Sequence, residues 1–250
     1  MLKSLNIAFL GVVLLALQGC ATGPNANPAD PLEPLNRAVF GFNDGLDRAL
    51  IKPVATVYDQ AVPSLVQTGV GNFFGNISDV WSVVNNFLQF KPKETVETFM
   101  RVGVNTVFGI GGLLDIGTEL GMQRNKQDFG RTLGVWGVGS GPYVVLPIFG
   151  PSSVRDSVGT LVDGQADIVN NIKKVPPRNS LTVLRAVDGR AKLLGATNAL
   201  DEAALDRYSF ARDIYLKRRA NADAHTNPST PGKEAPVSEE RFDLPAPAAK

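Results

Sequence analysis

From about residue 34 to residue 220 the hydrophobic positions recur at steps of three and four, the period of helices that are apolar along one stripe. Leu35, Val39, Phe42, Leu46 and Leu50 open the series. Val54, Val57, Tyr58 and Ala61 follow behind Pro53, and Val96, Phe99, Met100, Val104 and Val107 behind Pro92. A proline suits the first turn of a helix, where the N–H it lacks has no intrahelical partner. Val154, Val158, Leu161 and Val162 follow Ser152 and Ser153, either of which is a suitable N-cap. Leu181, Leu184, Val187, Ala191 and Leu194 form another stripe, and Leu205, Tyr208, Ala211 and Tyr215 the last. Tyr143 to Leu146, set between two prolines, is the one strand candidate. The pattern predicts a mainly α fold.

Two stretches depart from an ordinary water-soluble bundle. Val102 to Leu114 is apolar apart from Asn105 and Thr106 and carries Gly103, Gly109, Gly111 and Gly112. A run of that length reads as a buried, re-entrant or interfacial segment rather than a spanning helix. From Gly134 to Pro151, glycines alternate with Trp136, Tyr143 and Phe149. Both point toward lipid contact if the chain is held at a membrane.

The N-terminus supplies that condition. Lys3 precedes an almost unbroken apolar run from Ile7 to Leu17, too short to span about 30 Å of hydrocarbon but of the length of a signal-peptide core. Leu17-Gln18-Gly19-Cys20 resembles the bacterial lipobox, which makes residues 1–19 a cleaved signal peptide and Cys20 a lipidation site. Cys20 is the only cysteine, so it has no partner for an internal disulfide. The attachments expected there are a diacylglycerol and an N-acyl chain, and two or more chains anchor stably where one does not. Ala21, rather than Asp, follows the cysteine, which in lipoproteins of this type favours the outer membrane. Residues 20–33 read as a lipidated tether, 34–220 as one helical domain, and 221–250, rich in proline and poor in apolar residues, as a disordered tail.

Composition narrows the chemistry. Lys and Arg number 25 against 24 Asp and Glu, which offers nucleic acid no basic footprint. The single histidine, His225, falls in the expected tail, so Ser-His-Asp and Cys-His nucleophiles and Cys/His zinc sites have no material. Gly137-Val138-Gly139-Ser140-Gly141 does not centre its serine as a nucleophile elbow does, and Gly109-Ile110-Gly111 has Leu114 where a dinucleotide fingerprint needs its third glycine. No catalytic residue, metal site or cofactor is expected, and no nucleotide motif supplies energy.

Longer blocks are distinctive. Asp30-Pro31-Leu32-Glu33-Pro34-Leu35-Asn36-Arg37, Gly69-Val70-Gly71-Asn72-Phe73-Phe74, Asn85-Asn86-Phe87-Leu88-Gln89 and Gly109 to Asp115 lead to the most specific one, Asp128-Phe129-Gly130-Arg131-Thr132-Leu133-Gly134 running on to Tyr143. Arg155-Asp156-Ser157-Val158-Gly159 and Arg212-Asp213 extend the match, which covers roughly residues 30–219. In these blocks the chain resembles the MlaA/VacJ lipoprotein family. The resemblance implies a ring-like array of amphipathic helices with Gly-rich turns, seated in the inner leaflet of the outer membrane. It also implies an amphipathic channel that removes mislocalised phospholipids from the outer leaflet for retrograde transport. The partners implied are phospholipids, a trimeric outer-membrane porin and a periplasmic lipid carrier. A non-transporting adaptor that braces porins or scaffolds envelope complexes is the alternative.

Within that frame Asn86, Gln89, Asn105 and Asp115 are polar positions in apolar sequence, candidates either for the passage or for capping and buried hydrogen bonds. Gly137, Gly139, Gly141, Pro142 and Tyr143 are candidates for a constrained loop near the channel or for a tight connection. Arg155 and Asp156 are expected as a surface pair or helix-start charge. Replacing Cys20 by alanine is expected to mislocalise the protein and abolish activity, as read by cell fractionation. A variant that stayed at the outer membrane would remove the anchoring role.

Overall fold

The structure, a computed structural model, describes residues 27–226; the signal segment, Cys20 with the first half of the tether, and the tail beyond Thr226 lie outside them. In chain order the elements are α1 (Glu33–Leu46), a π-helical turn (Asp47–Ile51), α2 (Lys52–Ala61), α3 (Ser64–Leu88), α4 (Pro92–Val107), α5 (Ile116–Glu119), α6 (Phe129–Val135), β1 (Tyr143–Leu146), β2 (Gly150–Ser153), α7 (Val154–Ala166), α8 (Val175–Ala191), α9 (Leu194–Ala203) and α10 (Arg207–Thr226).

Local chemistry explains the element ends. Prolines occupy the first turns of α1, α2, α4 and α8. Asp115, Asp128 and Ser153 cap α5, α6 and α7, each side chain accepting the backbone N–H three residues on. The wide turn at Asp47–Ile51 sits just ahead of Pro53, which cannot return a hydrogen bond to the preceding turn; α1 and α2 therefore run on without a break in the chain's helical course. The apolar run from Val102 is not one helix. α4 stops at Val107, and positive φ at Ile110, Gly111 and Gly112 folds the rest into tight turns that leave Phe108, Ile110, Leu113 and Leu114 exposed.

The strand candidate at Tyr143 pairs antiparallel with Gly150–Ser153, in register Tyr143 with Ser153 and Leu146 with Gly150. Its free edge is closed by side chains of α1. Asn36 donates to Tyr143 O at 3.1 Å and accepts from Val145 N at 2.8 Å. Asn43, two turns along, donates to Leu146 O at 2.9 Å and accepts from Ile148 N at 2.7 Å. Each amide reproduces the donor and acceptor of a peptide group, so the edge is satisfied without a third strand.

The distribution of polarity is the main surprise. Among the described residues, buried polar and charged side chains outnumber buried hydrophobic ones by more than two to one. On α4, Val96, Phe99, Met100 and Val107 face outward while Thr98, Arg101 and Asn105 are buried. On α7, Val154, Val158 and Leu161 are exposed while Arg155, Asp156 and Gly159 are buried. Among the described residues, buried apolar side chains gather in two small clusters, Ala55 with Ala191 and Leu194, and Tyr143 and Val145 with Tyr208. Exposed apolar helix faces of this kind mark contact with lipid or protein. No helix among the described residues is long and apolar enough to cross a membrane.

At its C-terminal end α10 continues to Thr226, past the boundary at 220 that composition suggested, and His225 lies in its last turn. Asp223 pairs there with Arg155 at 3.1 Å.

Two glycines let α6 and α7 cross closely. A Cβ on Gly159 would stand 2.5 Å from the backbone nitrogen of Gly130. Gly159→Ala is therefore expected to destabilise the fold by about 1–3 kcal/mol, the usual cost of overpacking. Gly164→Ala, one turn further along α7 with nothing within 4 Å, serves as control and is expected to be neutral or slightly stabilising. Thermal unfolding of the two variants makes the comparison.

Candidate functional site

The inward face of α3 sets up the interior. Asn76, Asp79, Ser82 and Asn86 fall at steps of three or four, with Gln89 just past the helix end, so one side of the helix is polar along most of its length. α4 answers with Thr98, Arg101 and Asn105. Arg101 is 1% exposed and reaches Asp115 at 2.5 Å, Met122 O at 2.8 Å and, more distantly, Asp79 at 3.7 Å. Arg124 reaches the other oxygen of Asp79 at 3.0 Å. Burial pushes the Asp115 carboxyl up, but bonds from Thr118 and Asn105 and the charge of Arg101 outweigh it and hold the group below the usual carboxylate range.

This network absorbs the polar residues singled out in the sequence. Asn86 donates to Thr98 Oγ1 and Asn125 O, Gln89 to Thr132 Oγ1 at 3.0 Å, and Asn105 to Asp115 at 3.1 Å while accepting from Gly117 N at 2.7 Å. They are capping and core residues. The glycine segment does something different again. Gly137 and Gly141, at positive φ, carry the chain from α6 to β1, and the carbonyls of Val138 and Ser140 accept from Arg155 Nη1 and Arg155 N. Gly137, Gly139, Gly141 and Pro142 are exposed on that loop. Tyr143 is fully buried against Tyr208 and Tyr215, and burial pushes its phenol up to about 12. None of these nine residues lines the large cavity described next.

That cavity, of about 700 Å³, lies on another side of α3. Ile77, Val80, Trp81 and Val84 give it an apolar wall, joined by Ile168 after α7. Charged groups from four places line it as well: Arg124, Lys126 and Asp128 on the strap between α5 and α6, Asp156 and Asp163 on α7, Arg185, Asp188 and Lys192 around α8, and Arg219 on α10. The lining of the cavity is thus amphipathic.

Arg219 is the knot of the charged side. It pairs with Asp128 at 3.0 Å and Asp156 at 2.5 Å. Asp156 also takes Arg155 at 3.0 Å and the Tyr215 hydroxyl. Burial pushes Asp128 and Asp156 up, yet Arg219, aided by their other donors, holds both below the usual carboxylate range. Asp163 behaves oppositely: burial pushes it up, and the bonds it accepts from Trp81 Nε1 at 2.7 Å and Phe129 N at 3.0 Å do not offset this.

Arg155 and Asp156 therefore form no surface pair; both are buried, because Gly130, Gly134 and Gly159 leave room for them between α6 and α7. Apart from Asp156, the charged cavity residues went unnoticed in the sequence because they are scattered over four segments. Asp128 and Arg219 had partial signals, one opening the most specific block and the other closing the short basic run Lys217-Arg218-Arg219.

A family model described as MlaA lipoprotein matches residues 28–222. Among curated proteins, the intermembrane phospholipid transport system lipoprotein MlaA of Escherichia coli K12 is 34% identical over 220 residues, 86% of each chain. Its namesake in Haemophilus influenzae is 32% identical over 224 residues, covering 86% of this chain and 88% of the relative. A solved structure reported as the structural basis for maintenance of bacterial outer membrane lipid asymmetry superposes with a TM-score of 0.67 at 33% identity, over 78% of this chain and 98% of its own.

Because Asp128 and Asp156 bind protons less readily folded than unfolded, the stability they confer is complete above the unfolded carboxylate value near pH ~4 and is lost as the pH falls through their lower folded values. Arg219→Met is expected to cost about 3 kcal/mol at neutral pH, since it strands two carboxylates, and to flatten that acid dependence. Urea titrations at several pH values measure both effects.

Proposed function

Since the chain belongs to the MlaA lipoprotein family, we propose that it moves phospholipid through the cavity beside α3. It is a membrane-associated lipoprotein of an intermembrane phospholipid transport system, and it serves to maintain the lipid asymmetry of the outer membrane. The observation that carries the route is the inverted polarity: many apolar side chains outside, charge inside, and a cavity lined by both apolar and charged groups.

The physics of the substrate asks for this arrangement. A headgroup taken through hydrocarbon alone loses its hydration and meets a barrier of several kcal/mol or more. Charged residues from α7, α8, α10 and the strap replace water around the headgroup, while Ile77, Val80 and Val84 offer the acyl chains a surface like the one they leave. The outward residues of α4 and the turn at Phe108–Leu114 meet the surrounding lipid tails. Irregular backbone is tolerated at membrane depth where protein or a wet cavity satisfies it, as at Gly109–Asp115.

In this reading the lipid comes from the outer leaflet and leaves toward the periplasm. The acylated Cys20 holds the body at the inner leaflet of the outer membrane, a trimeric porin braces it, and a soluble periplasmic carrier accepts the lipid. With no nucleotide motif in the sequence, leaflet imbalance and the carrier give the movement its direction.

Loss of the gene is expected to raise outer-leaflet phospholipid and detergent sensitivity. Wild type should restore both, whereas Ser78→Trp, which fills the cavity from α3, should fold and reach the membrane without restoring either. Full restoration by Ser78→Trp would remove the cavity route. An unchanged leaflet composition after gene loss would favour a porin adaptor instead.

A further inference from the structure

Most charges on the cavity wall are already spent on one another. Arg124 is held by Asp79, Arg185 by Asp167 at 2.5 Å, Lys192 by Asp188 at 2.7 Å, and Arg219 by Asp128 and Asp156. Two wall groups stand apart. Asp163 accepts only from neutral donors, the Trp81 indole and the Phe129 amide, both at Oδ1, and no cation among the described residues lies within ion-pairing distance of it. Lys126, on the strap, has no carboxylate within that distance either. Lys126 and Asp163 line the same cavity, and the strap that carries Lys126 leads within three residues to Phe129, whose amide binds Asp163.

We propose that Asp163 and Lys126 form a headgroup site for zwitterionic phospholipid, Asp163 receiving the ammonium and Lys126 the phosphate. This rests on the transport reading above and names its preferred substrate class. A site with one unneutralised charge of each sign matches a headgroup carrying one of each. An anionic phosphatidylglycerol headgroup offers Lys126 the same phosphate but gives Asp163 no cation, and a half-buried carboxylate without a counter-ion is unfavourable. Burial, with the Asp128 charge adding to it, raises the proton affinity of Asp163, and the more distant Arg219 charge only partly offsets this. Trp81, by fixing Oδ1, orients the carboxylate from the apolar wall, which places the headgroup end of the lipid beside the surface that receives its chains. Arg219 faces the same region but is committed to Asp128 and Asp156.

The test uses the full lipidated protein, equilibrated in detergent micelles containing equal amounts of phosphatidylethanolamine and phosphatidylglycerol, with bound lipid counted by native mass spectrometry. Wild type is expected to enrich phosphatidylethanolamine about fivefold, the ratio that one ion pair of roughly 1 kcal/mol provides. Asp163→Asn, which keeps an oxygen for Trp81 and Phe129, should abolish the enrichment while still binding lipid. Lys126→Gln, at an exposed position with no ion pair to lose, should reduce both lipids alike and keep their ratio. A wild type without preference, or an Asp163→Asn variant that keeps it, overturns the headgroup site and leaves cavity transport standing. A Lys126→Gln variant that changes the ratio rather than the amount overturns the division of roles. A wild type that binds neither lipid, or binds both undiminished when Ser78→Trp fills the cavity, overturns the transport reading together with the headgroup site.

Discussion

A chain whose outer surface suits hydrocarbon has to settle its polar groups against one another, because the medium outside will not hydrogen-bond them. Arg101 expresses that constraint. Its guanidinium, buried between α3, α4 and the turn before α5, binds Asp115 and the Met122 carbonyl and faces Asp79. In a water-soluble bundle those positions would hold leucine and valine, and burial of apolar area would assemble the helices. Here many of the leucines and valines point outward, and hydrogen bonds and ion pairs take over much of the task of choosing which helix lies against which. Such contacts are directional, so the glycine crossings that bring Arg155, Asp156 and Arg219 into reach matter as much as the charges do.

The helices were legible in the sequence because periodicity does not depend on which side is buried. The stripes on α1, α2, α4, α7 and α8 are real, and the caps and first-turn prolines mark their ends. What periodicity cannot supply is the sign: a stripe such as Val96, Phe99, Met100 and Val107 looks the same packed inward or turned out. The strand at Tyr143 was visible, but its partner Gly150–Ser153 lacks the β-branched, alternating character of a strand and pairs because the turn at Ile148 and Gly150 brings it back.

The candidate site was less legible for a related reason. Polar residues in apolar sequence, such as Asn86, Gln89 and Asn105, are the ones the eye finds, and the structure uses them as internal adhesive. The cavity wall instead takes ordinary-looking charges, Arg185 or Asp163, from segments where a charged residue excites no interest. Their meaning comes from which of them are left over after pairing, and only three-dimensional placement reveals that remainder.

The two asparagines of α1 act as a ruler. Seven helical residues advance roughly 10.5 Å, and three extended residues about 10 Å, so the Asn36–Asn43 interval and the step from Tyr143 to Leu146, whose carbonyls the two amides bind, are commensurate. A shift of the hairpin by one residue along the helix would miss both amides at once. The hairpin is consequently pinned to α1 at both ends of β1, and its exposed tip, Ile148 and Phe149, is held beside Asn43, about one turn ahead of the wide turn at Asp47–Ile51.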